Sequence, residues 1–408
     1  MFQPRVPPPH QPDRCLLLEL PPECRLDIAD YLADCDLNSL ARTNRAFYDF
    51  LNPRLYKRGA RLKVRINPLF WATEAGILNT ARYALLAGAD VNAVEKSNGS
   101  ETALHKVIYP WAILLGRRGG LQVPPPANIR ISLPMAKLLL DSGANVNSQN
   151  AFGKTPLYLA TYLHDQQVVE LLVERGADVT IADVHGNTPL HLAASGGYED
   201  TVRFLIANGA DPKAQRPFDL ITPLHLAVKH ESFAAAKLLL GAGVDINIED
   251  AYQQTPLHYL SNGYGRALPA GDKPWSSEMV RYLVSQGANT EAMNIYGETT
   301  LHSTIHRGAT CARVAELLIQ NGANIEALNV MGHTPLHAVV IRGPGMQSVV
   351  QCLLRHGADR YVRDEQGRDL ASLSMVYSFG VYQQLLDPIW PIRDAVWGSE
   401  NGHCRSFR

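Results

Sequence analysis

The chain has 408 residues, with 38 basic and 39 acidic side chains and a net charge of −1. That balance excludes a general electrostatic pull toward nucleic acid or an anionic membrane. A composition 46% hydrophobic and 19% charged reads as globular rather than disordered, and the length suits two or three domains or one long solenoid.

The first stretch, 1–15, is proline-rich and polar, expected to be disordered, and lacks the apolar core of a signal peptide. No apolar run approaches the roughly 18 residues of a membrane helix. Cys15, Cys24, Cys35, Cys311, Cys352 and Cys404 form no C-x-x-C pair. They read as free thiols of a reducing compartment, so a cytoplasmic or nuclear location is expected.

Residues 16–57 occur once and are not repeated. "LPPECRLDIADYLA" starts a helix at proline, with Cys24, Ile28, Tyr31 and Leu32 on one apolar face. "DLNSLARTNRAFYDFL" follows with Asp36 as N-cap, Leu37, Leu40, Phe47 and Leu51 at helical offsets, and a stop at Asn52-Pro53. About 40 residues cannot supply a robust private core, so this segment leans on a neighbour or a partner.

These residues resemble the F-box. The pattern L-P-x-E-x-x-x-x-I-x-x-Y-L is met by Leu20, Pro21, Glu23, Ile28, Tyr31 and Leu32. D-L-x-x-L is met by Asp36, Leu37 and Leu40, and N-R-x-F-Y by Asn44, Arg45, Phe47 and Tyr48. The resemblance implies that Leu20, Pro21, Glu23, Ile28, Leu32, Leu37 and Leu40 dock on a Skp-type adaptor of a cullin ubiquitin ligase. The plainer reading, a helical cap on the repeats that follow, is compatible with it.

The basic residues Arg54, Lys57, Arg58, Arg61, Lys63 and Arg65 come next, and 58–66 reads as a linker. Such a run serves nuclear import or an acidic partner, though more often it is a solvated face.

From residue 67 to about 386 one unit recurs. Thr155, Thr188, Thr222 and Thr255 begin "TPLYLA", "TPLHLA", "TPLHLA" and "TPLHYL" at steps of 33, 34 and 33 residues. Thr299 and Thr334 continue the series, Asn67 and Thr102 are weaker members, and Asp369 begins a decayed ninth. A fixed period of this length means stacked supersecondary units. Threonine is a good N-cap and proline suits the first helical position. Leu190, Ala193 and Ala194 then give a short helix, "SGG" breaks it, and Val202, Leu205 and Ile206 line a second. Gly209 sits where a left-handed terminus is wanted.

This unit resembles the ankyrin repeat, with "G-x-T-P-L-H-x-A" followed by "L-L-x-x-G-A-(D/N)" in most copies. The expected fold is therefore all-α: an ankyrin-repeat solenoid of about eight repeats plus the degenerate ninth, behind a small helical F-box-like domain. Extra stretches near 109–131 and 261–275 lie between the two helices of their repeats and carry Trp111 and Trp275. Residues 387–408 leave the repeat and form a cap or tail, with Trp390 and Trp397 as capping residues. The second repeat, interrupted by its insertion, is expected to exchange its amides fastest, and 153–250 slowest.

His105, His191, His225, His258, His302 and His337 share one repeat position. Helices packed about 8–10 Å apart place them in a column, whereas zinc needs ligands within about 2.1 Å. Each imidazole is instead expected to tie neighbouring turns by hydrogen bonds. No H-E-x-x-H, Walker loop or G-x-S-x-G occurs, so no catalytic residue, metal or cofactor is expected.

In the family, partners are held by the turns before each "TPLH" and the exposed face of the first helix. Carried over, this surface comprises Phe152, Lys154, Tyr162, His185, Tyr252, Tyr296, Glu298, Met331 and His333, joined by Trp111 and Trp275. F-box first and interaction repeats after is the order of a substrate receptor, and this combination is most similar to filamentous-fungal proteins. The expected function is a monomeric protein-binding adaptor for a Skp–cullin-type ligase. The alternative is a nuclear coregulator or general scaffold without a ubiquitin role. Direct nucleic-acid or membrane binding is not expected.

Overall fold

The computed structural model describes residues 68–95, 99–109, 133–260, 275–304, 312–342, 346–370 and 372–373. Among these residues there are sixteen helices and no strand, with three isolated bridges at Glu95–Glu101, Met293–Thr299 and Arg363–Asp369. No helix among them is long and apolar enough to cross a membrane. The chain divides into two compact units, 1–183 and 184–408.

The first unit contains α1 (Pro68–Ala75), α2 (Leu78–Leu86), α3 (Ala103–Ile108), α4 (Leu133–Asp141), α5 (Pro156–Tyr162) and α6 (Gln166–Glu174). Helices pair as α1 with α2, α3 with α4 and α5 with α6, and α3 also packs on α1 and α5. The threonine signal works as the sequence implies. Thr155 sits in extended backbone and its Oγ1 accepts from the Tyr158 N–H, with Pro156 in the first turn. Asp165 caps α6 in the same way. Leu157, Val168 and Leu172 are fully buried between the paired helices, each contributing about 1.5–3 kcal/mol.

Lys106 breaks the apolar pattern of this core. Its side chain is 0% exposed, ion-paired to Glu95 of the preceding turn, with its Nζ 5.3 Å from the centre of the Phe70 ring. Other copies carry a half-buried leucine, Leu192 or Leu226, at this position, so the second repeat buries a charge where those copies only partly bury a hydrocarbon.

The second unit contains α7 (Pro189–Gly196), α8 (Glu199–Ala207), α9 (Pro223–Lys229), α10 (Phe233–Gly241), α11 (Pro256–Tyr259), α12 (Trp275–Ser285), α13 (Thr300–Ser303), α14 (Ala312–Gln320), α15 (Pro335–Arg342) and α16 (Gln347–Arg355). First helices stack on first helices, α7 on α9, α9 on α11, α11 on α13 and α13 on α15. Second helices follow, α8 on α10, α12 on α14 and α14 on α16. The small residues Ala193, Ala194, Ala227, Ala235 and Ala236 are fully buried and let the helices approach closely. Cys352 is a buried free thiol, and burial pushes its pKa up to about 11.

Extended turns connect successive repeats, and their close stacking explains one glycine. Gly297 has φ +68°, and a Cβ there would lie 2.8 Å from the Val330 backbone nitrogen. Gly297→Ala is expected to cost more than about 1 kcal/mol, the usual penalty where φ is positive, because neighbouring backbone must also move. A urea titration would check it. The equivalent Gln253, at φ 57°, should gain stability when replaced by glycine.

Candidate partner-binding surface

In several repeats the turn before the threonine is built around one asparagine or aspartate, buried at Asn150, Asp250 and Asn294 and half-buried at Asn329. In the first unit, Asn150 Oδ1 accepts from the N–H groups of Phe152 at 2.9 Å and Lys154 at 3.0 Å. In the second, Asp250 does this for Tyr252 and Gln254, both at 2.8 Å. Asn294 serves Tyr296 and Glu298, and Asn329 serves Met331 and His333. One acceptor thus satisfies two backbone donors and turns the intervening side chain outward. The sequence reading missed these residues, although an Asn or Asp five places before the threonine was there to be seen.

The histidine column fixes the other end of the turn. In the first unit, the Thr102 N–H donates to His105 Nδ1 at 3.3 Å, and His105 Nε2 lies 3.0 Å from the Lys154 carbonyl. In the second unit, His191, His225, His258 and His302 reach the carbonyls of Ile221, Gln254, Glu298 and His333 at 3.0–3.2 Å. Each carbonyl belongs to the residue just before the next threonine. Since Nδ1 accepts, the hydrogen sits on Nε2 and donates. Burial lowers the pKa of all of these that titrate away from their ordinary range, His105 to about 4 and His225, His258 and His302 in the same direction. The ring nitrogens are consumed by the helix cap and the next turn, as the sequence reading expected. Among the described residues no three His, Cys, Asp or Glu side chains are grouped to hold a metal.

The candidate residues fall into three groups. In the first unit, Phe152 is exposed, and Lys154 lies half-buried with its Nζ 5.5 Å from the Tyr158 ring centre. Tyr162 is half-buried, its ring 6.4 Å from that of Tyr109. In the second unit, His185, Tyr252, Tyr296 and Met331 are exposed, while Glu298 is half-buried and accepts from Asn294 Nδ2. His333 differs: its side chain is buried, stacked 5.9 Å from His337 and 3.7 Å from Asp364. Its place in the repeat suggested exposure, but the carboxylate of the next turn draws the ring inward. Trp275 begins α12. Trp111 and the F-box-like residues Leu20, Pro21, Glu23, Ile28, Leu32, Leu37 and Leu40 lie outside the described residues.

Exposed apolar side chains beside the candidates extend the surface. Phe218, Met293, Ile295, Leu328, Val330 and Tyr361 all project from turns of the second unit. They sit at outward positions of the extended segments, a period-two signal that a comparison aligned on the helices did not register.

The family model described as ankyrin repeats (3 copies) matches residues 129–216 and 272–364, and that described as ankyrin repeats (many copies) matches 193–240. Together they span just over half of the chain. A model described as F-box-like matches residues 17–61. A search of curated proteins finds no match. Ankyrin repeats and F-box-like segments are both protein-interaction modules, which fits a surface of exposed tyrosine, phenylalanine and methionine on rigid turns. The chain therefore belongs to the ankyrin-repeat proteins and carries an F-box-like segment at its N-terminal end.

Proposed function

We propose that this protein is a substrate receptor: the F-box-like segment docks on a Skp-type adaptor of a cullin ubiquitin ligase, and the ankyrin turns hold the protein to be modified. The observation that carries this reading is the order of the two modules, F-box-like residues at 17–61 ahead of ankyrin repeats from 129 onward. The exposed residues Phe152, Tyr252, Tyr296 and Met331 support a target-binding role. The protein acts by bringing two partners together and performs no chemistry itself. It works as a monomer in the cytoplasm or nucleus.

Co-purification of the full chain with a Skp-type adaptor tests this. The triple variant Leu20→Asp, Pro21→Ser, Ile28→Asp should reduce association at least tenfold, by placing charge on an apolar docking face. Thermal melting of the ankyrin part should stay within a degree or two. Undiminished association in the variant would mean that the docking face lies elsewhere. No association in the parent chain would leave a scaffold without a ubiquitin role.

A further inference from the structure

Three consecutive turns of the second unit, 243–255, 287–299 and 322–334, contain Asp245, Glu249, Asp250, Glu291, Glu298 and Glu326 but no lysine or arginine. The flanking turns differ in setting bases beside their acids: 209–222 holds Lys213 and Arg216 with Asp211 and Asp219, and 357–369 holds Arg360, Arg363 and Arg368 with Asp359, Asp364, Glu365 and Asp369. Within the second unit, carboxylates without a basic residue in the same turn are therefore concentrated in these three turns. Asp250 is buried and engaged with backbone N–H groups and the Tyr259 hydroxyl. The other five carboxylates are exposed or half-exposed.

Apolar side chains share this stretch in a regular pattern. In "EAMNI" (291–295) the residues alternate, with Glu291, Met293 and Ile295 outward and Asn294 buried. In "EALNV" (326–330) Glu326 is half-exposed, Leu328 and Val330 are exposed, and Ala327 is buried. Tyr252, Ile295, Tyr296, Leu328, Val330 and Met331 are between 44% and 64% exposed. The turns are held together by the Ile295 N–H donating to the Tyr252 carbonyl at 3.0 Å and the Val330 N–H to the Tyr296 carbonyl at 3.1 Å. These side chains thus occupy one rigid ribbon.

Two of the carboxylates exceed what the fold requires. Glu291 Oε1 accepts from the Asn324 N–H and Glu326 Oε1 from the Asp359 N–H, at 2.8 and 2.7 Å. At the same repeat position Asn247 makes the same bond to the Asn289 N–H at 2.8 Å with a neutral amide. Asparagine suffices to join successive turns. The glutamates add negative charge beside exposed apolar side chains without adding a structural bond of a new kind.

From this we infer that the ribbon formed by 243–255, 287–299 and 322–334 binds a segment of the target protein in which lysine or arginine alternates with large apolar residues. The inference rests on the adaptor reading and supplies the chemistry of its target. Apolar anchors give most of the affinity in such contacts, and the opposite charges at the rim speed encounter and reject acidic segments. Exposed apolar side chains gathered on adjoining hydrogen-bonded turns mark an interaction site rather than scattered surface.

The test uses the full chain and a fluorescent decapeptide alternating lysine and leucine, with glutamate–leucine and lysine–serine decapeptides as controls. Anisotropy should show the lysine–leucine peptide binding at least tenfold more tightly than either control, and weakening as salt is raised. Glu291→Asn with Glu326→Asn keeps the turn-joining acceptors, so it should leave melting unchanged and weaken that binding at least fivefold. Ile295→Ser with Val330→Ser should weaken it at least tenfold. Equal binding of the glutamate–leucine peptide, or full binding by the asparagine variant, overturns the inference. So does sedimentation showing a dimer that the serine variant dissociates, since the occupant would then be a second copy. These outcomes are independent of the adaptor association, whose loss would remove the ligase role and leave the peptide result standing.

Discussion

Replacing His225 with alanine is expected to destabilise the second unit by about 3–5 kcal/mol, and the same change at His337 by clearly less. His225 is fully buried. Its Nδ1 accepts from the Thr222 N–H at 3.2 Å, and its Nε2 donates to the Gln254 carbonyl at 3.1 Å. Alanine removes both partners at once. Each buried group left wanting costs about 1–3 kcal/mol, and the missing ring adds a cavity penalty. His337 is equally buried and caps through Thr334, but its Nε2 has no hydrogen-bond partner among the described residues. Its loss therefore removes no bond to the residue just before the next repeat's first helix, as the loss of His225 does. Repeat proteins unfold in parts, so a single global free energy is a poor readout. Amide exchange resolves the two sites. His225→Ala should speed exchange in 222–260 by more than a hundredfold, and His337→Ala should speed it in 334–355 by less. Equal effects would show that the column acts only through helix capping.

The histidine column also shows why parts of this fold were legible in advance. Threonine, proline and histidine act within four residues, so "TPLH" announces its own helix wherever it occurs. Period alone put the imidazoles in a column, and metal-ligand distances argued against a shared ion. The orientation of His333 was not legible, because it depends on Asp364 in the next turn, a partner 31 residues away. Lys106 was hidden for a similar reason. Its burial depends on Glu95 and on the Phe70 ring, and no local pattern links the three. The acidic ribbon was missed through alignment on the helices. The relevant repeat lies in the extended segments, where "EAMNI" and "EALNV" match each other with period two. A turn reads as connection when helices define the unit, yet these turns carry the exposed apolar side chains.

Acidification from pH 7.5 to 5.0 is expected to destabilise the first unit, with His105 contributing about 2 kcal/mol of the loss. Burial is the main cause of its lowered pKa, about 4 against an ordinary 6.5, and the hydrogen bond to the Lys154 carbonyl only partly opposes it. The geometry gives the reason. A second proton would have to sit on Nδ1, which already faces the Thr102 N–H at 3.3 Å, so two donors would oppose each other inside the cap. In the unfolded chain the imidazole takes its proton near pH 6.5, while in the folded chain it resists until about pH 4. Between these values the unfolded state binds more protons, so stability falls as pH falls and is fully present only above about 6.5. His225, His258 and His302 are shifted in the same direction by burial, so the second unit should weaken in the same acid range. The carboxylates displaced from their ordinary range, Asp178, Asp219, Asp364 and Asp369, are all lowered and do not confuse that window. Burial would raise Asp219, but hydrogen bonds and charge from Arg216 bring it below its ordinary 3.8, so its contribution is lost at lower pH. Urea titrations of the full chain at pH 7.5, 6.0 and 5.0 would follow the loss. His105→Gln, which removes the titrating ring, should flatten the pH dependence of amide exchange in 99–109 and 133–183 while lowering stability at pH 7.5. An unchanged midpoint between pH 7.5 and 5.0 in the parent chain would show that the imidazoles are not held neutral, and that burial does not govern their charge.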